Sequence, residues 1–88
     1  PTPSTYEIEQ VNFEFSDTPV SQIFAILEEA YLLEIDFPAE KLKDCYLTTS
    51  LQDQPLPEKL KIICESLGKN TRYEMNGNQI IILSNGCN

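Results

Sequence analysis

The sequence contains no histidine, and only six lysines and arginines stand against fourteen aspartates and glutamates, giving a net charge of −8. That balance opposes docking on phosphate backbones or anionic lipid, so nucleic acid and direct membrane contact are not expected partners. Without histidine, and with three cysteines that form no Cys-x-x-Cys pair, neither a zinc site nor a Cys-His nucleophile can be assembled in the usual way. No glycine-rich phosphate loop is present. No apolar run approaches the roughly twenty residues needed to cross a bilayer, and no basic-then-apolar leader precedes the rest. With 88 residues the chain can bury one modest core, which sets the expectation at one domain. It opens at Pro1 rather than at a methionine, and is read as a segment of a longer protein whose anchor or signal sequence lies outside it.

What the chain does contain is a repeat. Asp-x-Pro-apolar occurs as Asp17-Thr18-Pro19-Val20 and again as Asp53-Gln54-Pro55-Leu56, each time between a strand-like run and an amphipathic helical run. Superposing the two copies places Val20 on Leu56, Phe24 on Leu60, Leu27 on Ile63, Tyr31 on Leu67 and Phe37 on Tyr73. The match covers a strand, a turn, a helix and a returning strand. The expected architecture is therefore α+β: a two-layer sandwich of two β-α-β repeats plus a C-terminal β-hairpin, with two helices on one face of a small sheet.

Residues 1–5 have the composition of an extended linker, and 6–88 are expected to form the domain. From Tyr6 the pattern alternates, with Val11, Phe13 and Phe15 on one side of a half-buried strand. Thr18 is a candidate helix cap, Pro19 suits the first helical position, and Val20, Ile23, Phe24, Leu27, Ala30 and Tyr31 form one apolar face. Ile35 and Phe37 flank Asp36 in a short strand that Pro38 stops. The polar stretch from Ala39 to Asp44 links the halves. Cys45, Leu47, Thr49 and Leu51 then alternate into the second copy, where Leu56, Leu60, Ile63, Cys64 and Leu67 form the buried helical stripe. Gly68 is placed to end that helix in the left-handed conformation. Asp17 and Asp53, just ahead of the helices, are expected to accept free amides and complement the helix dipole, a structural reading that outweighs a catalytic one.

Of the cysteines, Cys45 and Cys64 fall on inward positions and are read as small buried hydrophobes in preference to a disulfide between them. Cys87 is read as an exposed thiol or a partner for an intermolecular bond. Asn76-Gly77 is a strong hairpin signal, and a loop of either Asn76-Gly77 or Gly77-Asn78 puts Ile80 and Ile82 on the face of Tyr73 and Met75. Ile81 and Leu83 must then point away from the helices. They are either an exposed apolar contact, and so the candidate partner-binding residues, or are covered by the linker, by the strand near Tyr6 and Ile8 or by flanking sequence of the full protein.

Several of these segments carry a resemblance: the run from Val11 to Val20, Tyr31, Ile35-Asp36-Phe37, Lys43-Asp44-Cys45, the run from Leu60 to Gly68, and Ile81-Ile82-Leu83 followed by Gly86-Cys87. Together they resemble the C-terminal domain of FecR-like anti-sigma regulators. The resemblance implies a periplasmic domain of an inner-membrane-anchored protein, receiving a signal from the N-terminal signalling domain of a TonB-dependent outer-membrane transporter. A sigma factor would be reached only through other parts of the parent protein, and Asn88 would stand at the parent's own end. The β-α-β doublet is also similar to the secretin and TonB short N-terminal domain on the transporter side, and a purely structural capping role is the plainer alternative. No catalytic, metal or cofactor residue is implied by either family, and the expectation is a binding module rather than an enzyme.

Overall fold

A computed structural model describes residues 12–68 and 70–87. The expected linker and the part of the first strand from Tyr6 to Val11 lie outside the described residues. The chain runs β1 (Glu14–Pro19), α1 (Val20–Tyr31), β2 (Glu34–Asp36), α2 (Ala39–Leu42), β3 (Tyr46–Ser50), α3 (Leu56–Leu67), β4 (Arg72–Asn76) and β5 (Gln79–Leu83). The class is α+β, as the repeat indicated, with the strands divided between two small sheets. In one, β1 pairs antiparallel with β3; in the other the order is β2–β5–β4, with β2 parallel and β4 antiparallel to β5. The opening strands of the two repeats are thus antiparallel to each other, and so are the returning strands, as an approximate two-fold relation requires. The last strand breaks that relation by lying between β2 and β4.

The Asp-x-Pro device has the same backbone geometry in both copies, and it is not the geometry of a cap. Asp17 and Asp53 have φ of 50° and 65°, in the left-handed region that aspartate tolerates better than most residues. Pro19 and Pro55 then precede the helices with φ of −57° and −67°, each at the N-cap rather than inside the first turn. Neither helix has a side-chain cap, which corrects the expected roles of Thr18, Asp17 and Asp53. The Thr18 hydroxyl donates to the Ser16 carbonyl instead, and a first-turn amide of α1, that of Val20, donates to the carbonyl of Cys45 at 3.0 Å. At Asp17 the left-handed residue makes a bulge: the β1–β3 register shifts between Phe15 and Thr18, and the Asp17 amide donates to Thr48 Oγ1. The strand therefore continues through the motif to Pro19.

Both helices bury the stripes that their periodicity predicts. Val20, Ile23, Phe24, Leu27 and Ala30 of α1 and Leu60, Ile63, Cys64 and Leu67 of α3 are buried, and Tyr31 and Leu56 half-buried. All of these but Cys64 pack with Phe13, Phe15, Ile35, Leu47, Leu51, Ile80 and Ile82 in a single core cluster. Phe37 lies beyond β2 rather than in it, its ring centroid 4.9 Å from that of Phe24. Two core members were not legible. Leu42 is 1 % exposed because the stretch expected to be a polar link coils into the single turn of α2 and turns this one apolar side chain inward. Lys59, also buried, donates from Nζ to the Gln54 carbonyl and holds its ammonium 4.4 Å from the centre of the Phe13 ring and 5.6 Å from that of Tyr31.

The helices end differently. Leu32 closes α1 at φ 55°, ψ 53°, a left-handed conformation unusual for leucine, with its side chain 70 % exposed. Gly68 closes α3 at φ 70°, ψ −152°. That differs from the left-handed helical conformation expected for it, and lies in a region that is essentially restricted to glycine.

Candidate partner-binding face

The hairpin loop is Gly77-Asn78, since Asn76 pairs with Gln79, Met75 with Ile80 and Tyr73 with Ile82. Alternation along β5 then fixes its two faces. Ile80 and Ile82 are buried against the helices, and Ile81 and Leu83 lie half-buried on the opposite, outer face. Burying each inner isoleucine contributes about 1.5–3 kcal/mol, which holds this register against a one-residue slip. The alternative cover for Ile81 and Leu83, around Tyr6 and Ile8, lies outside the described residues.

The registers also place the neighbours of these side chains. Ile81 has Asp36 of β2 on one side and Glu74 of β4 on the other, and Gln79 has Glu34 and Asn76. Leu83 has Arg72 beside it. An open groove runs over this part of the face, with Ile81 and Leu83 on its floor, Phe37, Pro38 and Lys41 along one side and Thr71 and Arg72 along the other. Ser84 and Asn85 line it as well. The Thr71 and Ser84 hydroxyls are 2.6 Å apart, and Ser84 Oγ bonds both the amide and the carbonyl of Gly86, so the strand and the tail after it form one hydrogen-bonded wall.

That tail is fastened covalently. Cys45 and Cys87 form a disulfide with their Cα atoms 6.0 Å apart, while Cys64 is the free, buried thiol. Cys64 is thus reduced and buried as expected, whereas the expectations of a reduced Cys45 and of Cys87 as a loose thiol or an intermolecular partner are corrected. The pairing depends on a juxtaposition invisible in the sequence: β5 runs parallel to β2, so the tail beyond Leu83 arrives at α2 and at the start of β3. Gly86, at φ 124°, makes the turn against the Lys41 carbonyl that brings Cys87 to Cys45. Burial, and secondarily the charge of Glu65, push the Cys64 thiol up to about 11, so it stays protonated and unreactive near neutral pH. Among the described residues no group of three His, Cys, Asp or Glu side chains could hold a metal ion. The groove-lining cations Lys41 and Arg72 carried no sequence signal, because nothing local marks two residues so far apart in the chain as neighbours.

None of the described helices is long and apolar enough to cross a membrane. Two crystal structures of a candidate anti-sigma factor from Parabacteroides distasonis ATCC 8503, at 1.65 Å and 2.50 Å resolution, share the fold: each superposes with a TM-score of 0.71 at 23 % identity over 92 % of this chain. The match takes in 37 % of that protein, so the chain spans well under half the length of its structural relative. No curated protein matches the sequence. Residues 12–82, which take in both repeats and nearly all of the hairpin, match the family described as FecR, C-terminal. The chain thus belongs to the family described as FecR, C-terminal.

Proposed function

We propose that this domain is the periplasmic protein-binding part of an anti-sigma regulator, and that it receives the signal of a TonB-dependent outer-membrane transporter through the transporter's N-terminal signalling domain. The sigma factor is engaged by other parts of the parent protein. The observation that carries the reading is the outer face of β5, where Ile81 and Leu83 remain half-exposed beside an open groove in a domain of a regulatory family. An apolar strip on a sheet face, edged by polar groups, is the kind of surface that supports docking by another protein. The Cys45–Cys87 disulfide supports the compartment, since such bonds persist in the periplasm and are rare in a reducing cytosol. The family match falls on the regulator rather than the transporter side of the contact, which disfavours the reading as a transporter signalling domain.

The test is a calorimetric titration of the 88-residue chain with the purified signalling domain of the transporter encoded beside it. Saturable binding is expected, and Ile81→Asp or Leu83→Asp should weaken it at least about tenfold while leaving the fold intact. Absence of binding at about millimolar concentration, a Kd weaker than about −4 kcal/mol of binding free energy, would instead make the domain a structural cap of its parent.

A further inference from the structure

The charges around the groove are distributed against the trend of the molecule, and their distribution names the chemistry of what it holds. Fourteen acidic residues face six basic ones over the whole chain, yet among the described residues the groove is lined by two cations, Lys41 and Arg72, and one carboxylate, Asp36. The cations stand on opposite walls: Lys41 on α2, and Arg72 on β4 in register with Leu83. The acids of the same face gather toward the hairpin, where Asp36 and Glu74 flank Ile81 and Glu34 pairs with Gln79. The outer face is therefore apolar along β5, positive at its tail end and negative at its hairpin end.

We infer that the groove takes an extended protein segment bearing a carboxylate next to apolar side chains, seated with its acid between Lys41 and Arg72 and its apolar groups on Leu83 and Ile81. This deepens the docking reading above and rests on it for the identity of the partner, though not for the chemistry of the groove. An acidic segment meets repulsion from Glu34, Asp36 and Glu74 if it approaches the other way round, so the charge split sets the direction of docking as well as its strength. Arg72 supplies a planar fork suited to a carboxylate, and Lys41 a mobile point charge across from it. The Cys45–Cys87 bond fixes the tail whose Ser84 and Asn85 line the groove beside Leu83.

The experiment uses amide shift mapping of the labelled 88-residue chain with two blocked peptides of equal length, one alternating valine with glutamate and the other valine with lysine. The glutamate peptide is expected to shift the amides of Arg72, Leu83 and Ser84 saturably, and less so as salt is raised through about 0.1 M, where charges more than about 10 Å apart are screened. Lys41→Glu and Arg72→Glu should each weaken it about tenfold, while Lys61→Glu, an equal charge change at an exposed site of α3 outside the groove, should weaken it less than about twofold. Three results would overturn the inference: no groove shifts with the glutamate peptide, equal groove shifts with the lysine peptide, or equal weakening by Lys61→Glu. Peptide selectivity without binding to the signalling domain would reject the transporter as partner and keep the groove chemistry. Transporter binding that survives Lys41→Glu and Arg72→Glu would do the reverse.

Discussion

The two repeats are the same backbone device carrying different loads. Both enter their helix through a left-handed aspartate and an N-cap proline. Inside the helices the copies part: Ile23, fully buried in α1, superposes on Lys59 of α3, and Leu32 superposes on Gly68. The first repeat fills its helix–sheet contact with carbon. The second threads an ammonium into the equivalent place, where a carbonyl and two aromatic rings receive it. A shared fold thus fixes where a side chain points but not its polarity, provided that a buried charge brings its own acceptors.

The strongest way to break the comparison is to make the first repeat imitate the second. Ile23→Lys should lose about 3–5 kcal/mol in urea unfolding, since the carbonyl that accepts from Lys59, that of Gln54, belongs to the other helix entrance. The converse, Lys59→Ile, should change stability by less than about 1.5 kcal/mol in either direction, because removing a buried charge together with its desolvation cost is often close to neutral. Equal losses for both would mean that the two sites are alike after all.

A smaller effect sharpens the asymmetry of the covalent tie, which joins the start of the second repeat to the tail. Replacing Cys45 and Cys87 with alanine should cost about 2–4 kcal/mol, as expected for a bond that spans 42 residues of sequence, and reductant should have no further effect on that variant. Unfolding curves with and without reductant check this. The smallest effects lie at the helix ends. Gly68→Ala should lose about 1–2 kcal/mol at a backbone conformation few side chains adopt, whereas Leu32→Gly should gain about 0.5 kcal/mol by relieving a left-handed leucine. Thermal melts of the pair should therefore move in opposite directions.

These contrasts also mark what was legible in the sequence. The helical stripes and the outward direction of Ile81 and Leu83 follow from periods of 3.6 and 2, which are local properties, whereas those periods left the hairpin loop open between Asn76-Gly77 and Gly77-Asn78. Lys59 was not legible, because its acceptors come from Gln54 and from rings in β1's approach and α1. The Cys45–Cys87 bond and the meeting of Lys41 with Arg72 depend on β5 lying parallel to β2, a long-range pairing that no local pattern encodes. The aspartates were legible as a motif and misread as caps, since their residue type suits both an N-cap and a left-handed turn.

The position of β5 has a temporal meaning as well. Among the described residues the latest strand lies in the middle of its sheet, so β2 and β4 lack the neighbour they share until Gln79–Leu83 has left the ribosome. Contacts of such long sequence separation form late and slowly. The same five residues carry Ile81 and Leu83, so a chain interrupted before this strand lacks both the strand that joins β2 to β4 and the apolar strip of the outer face.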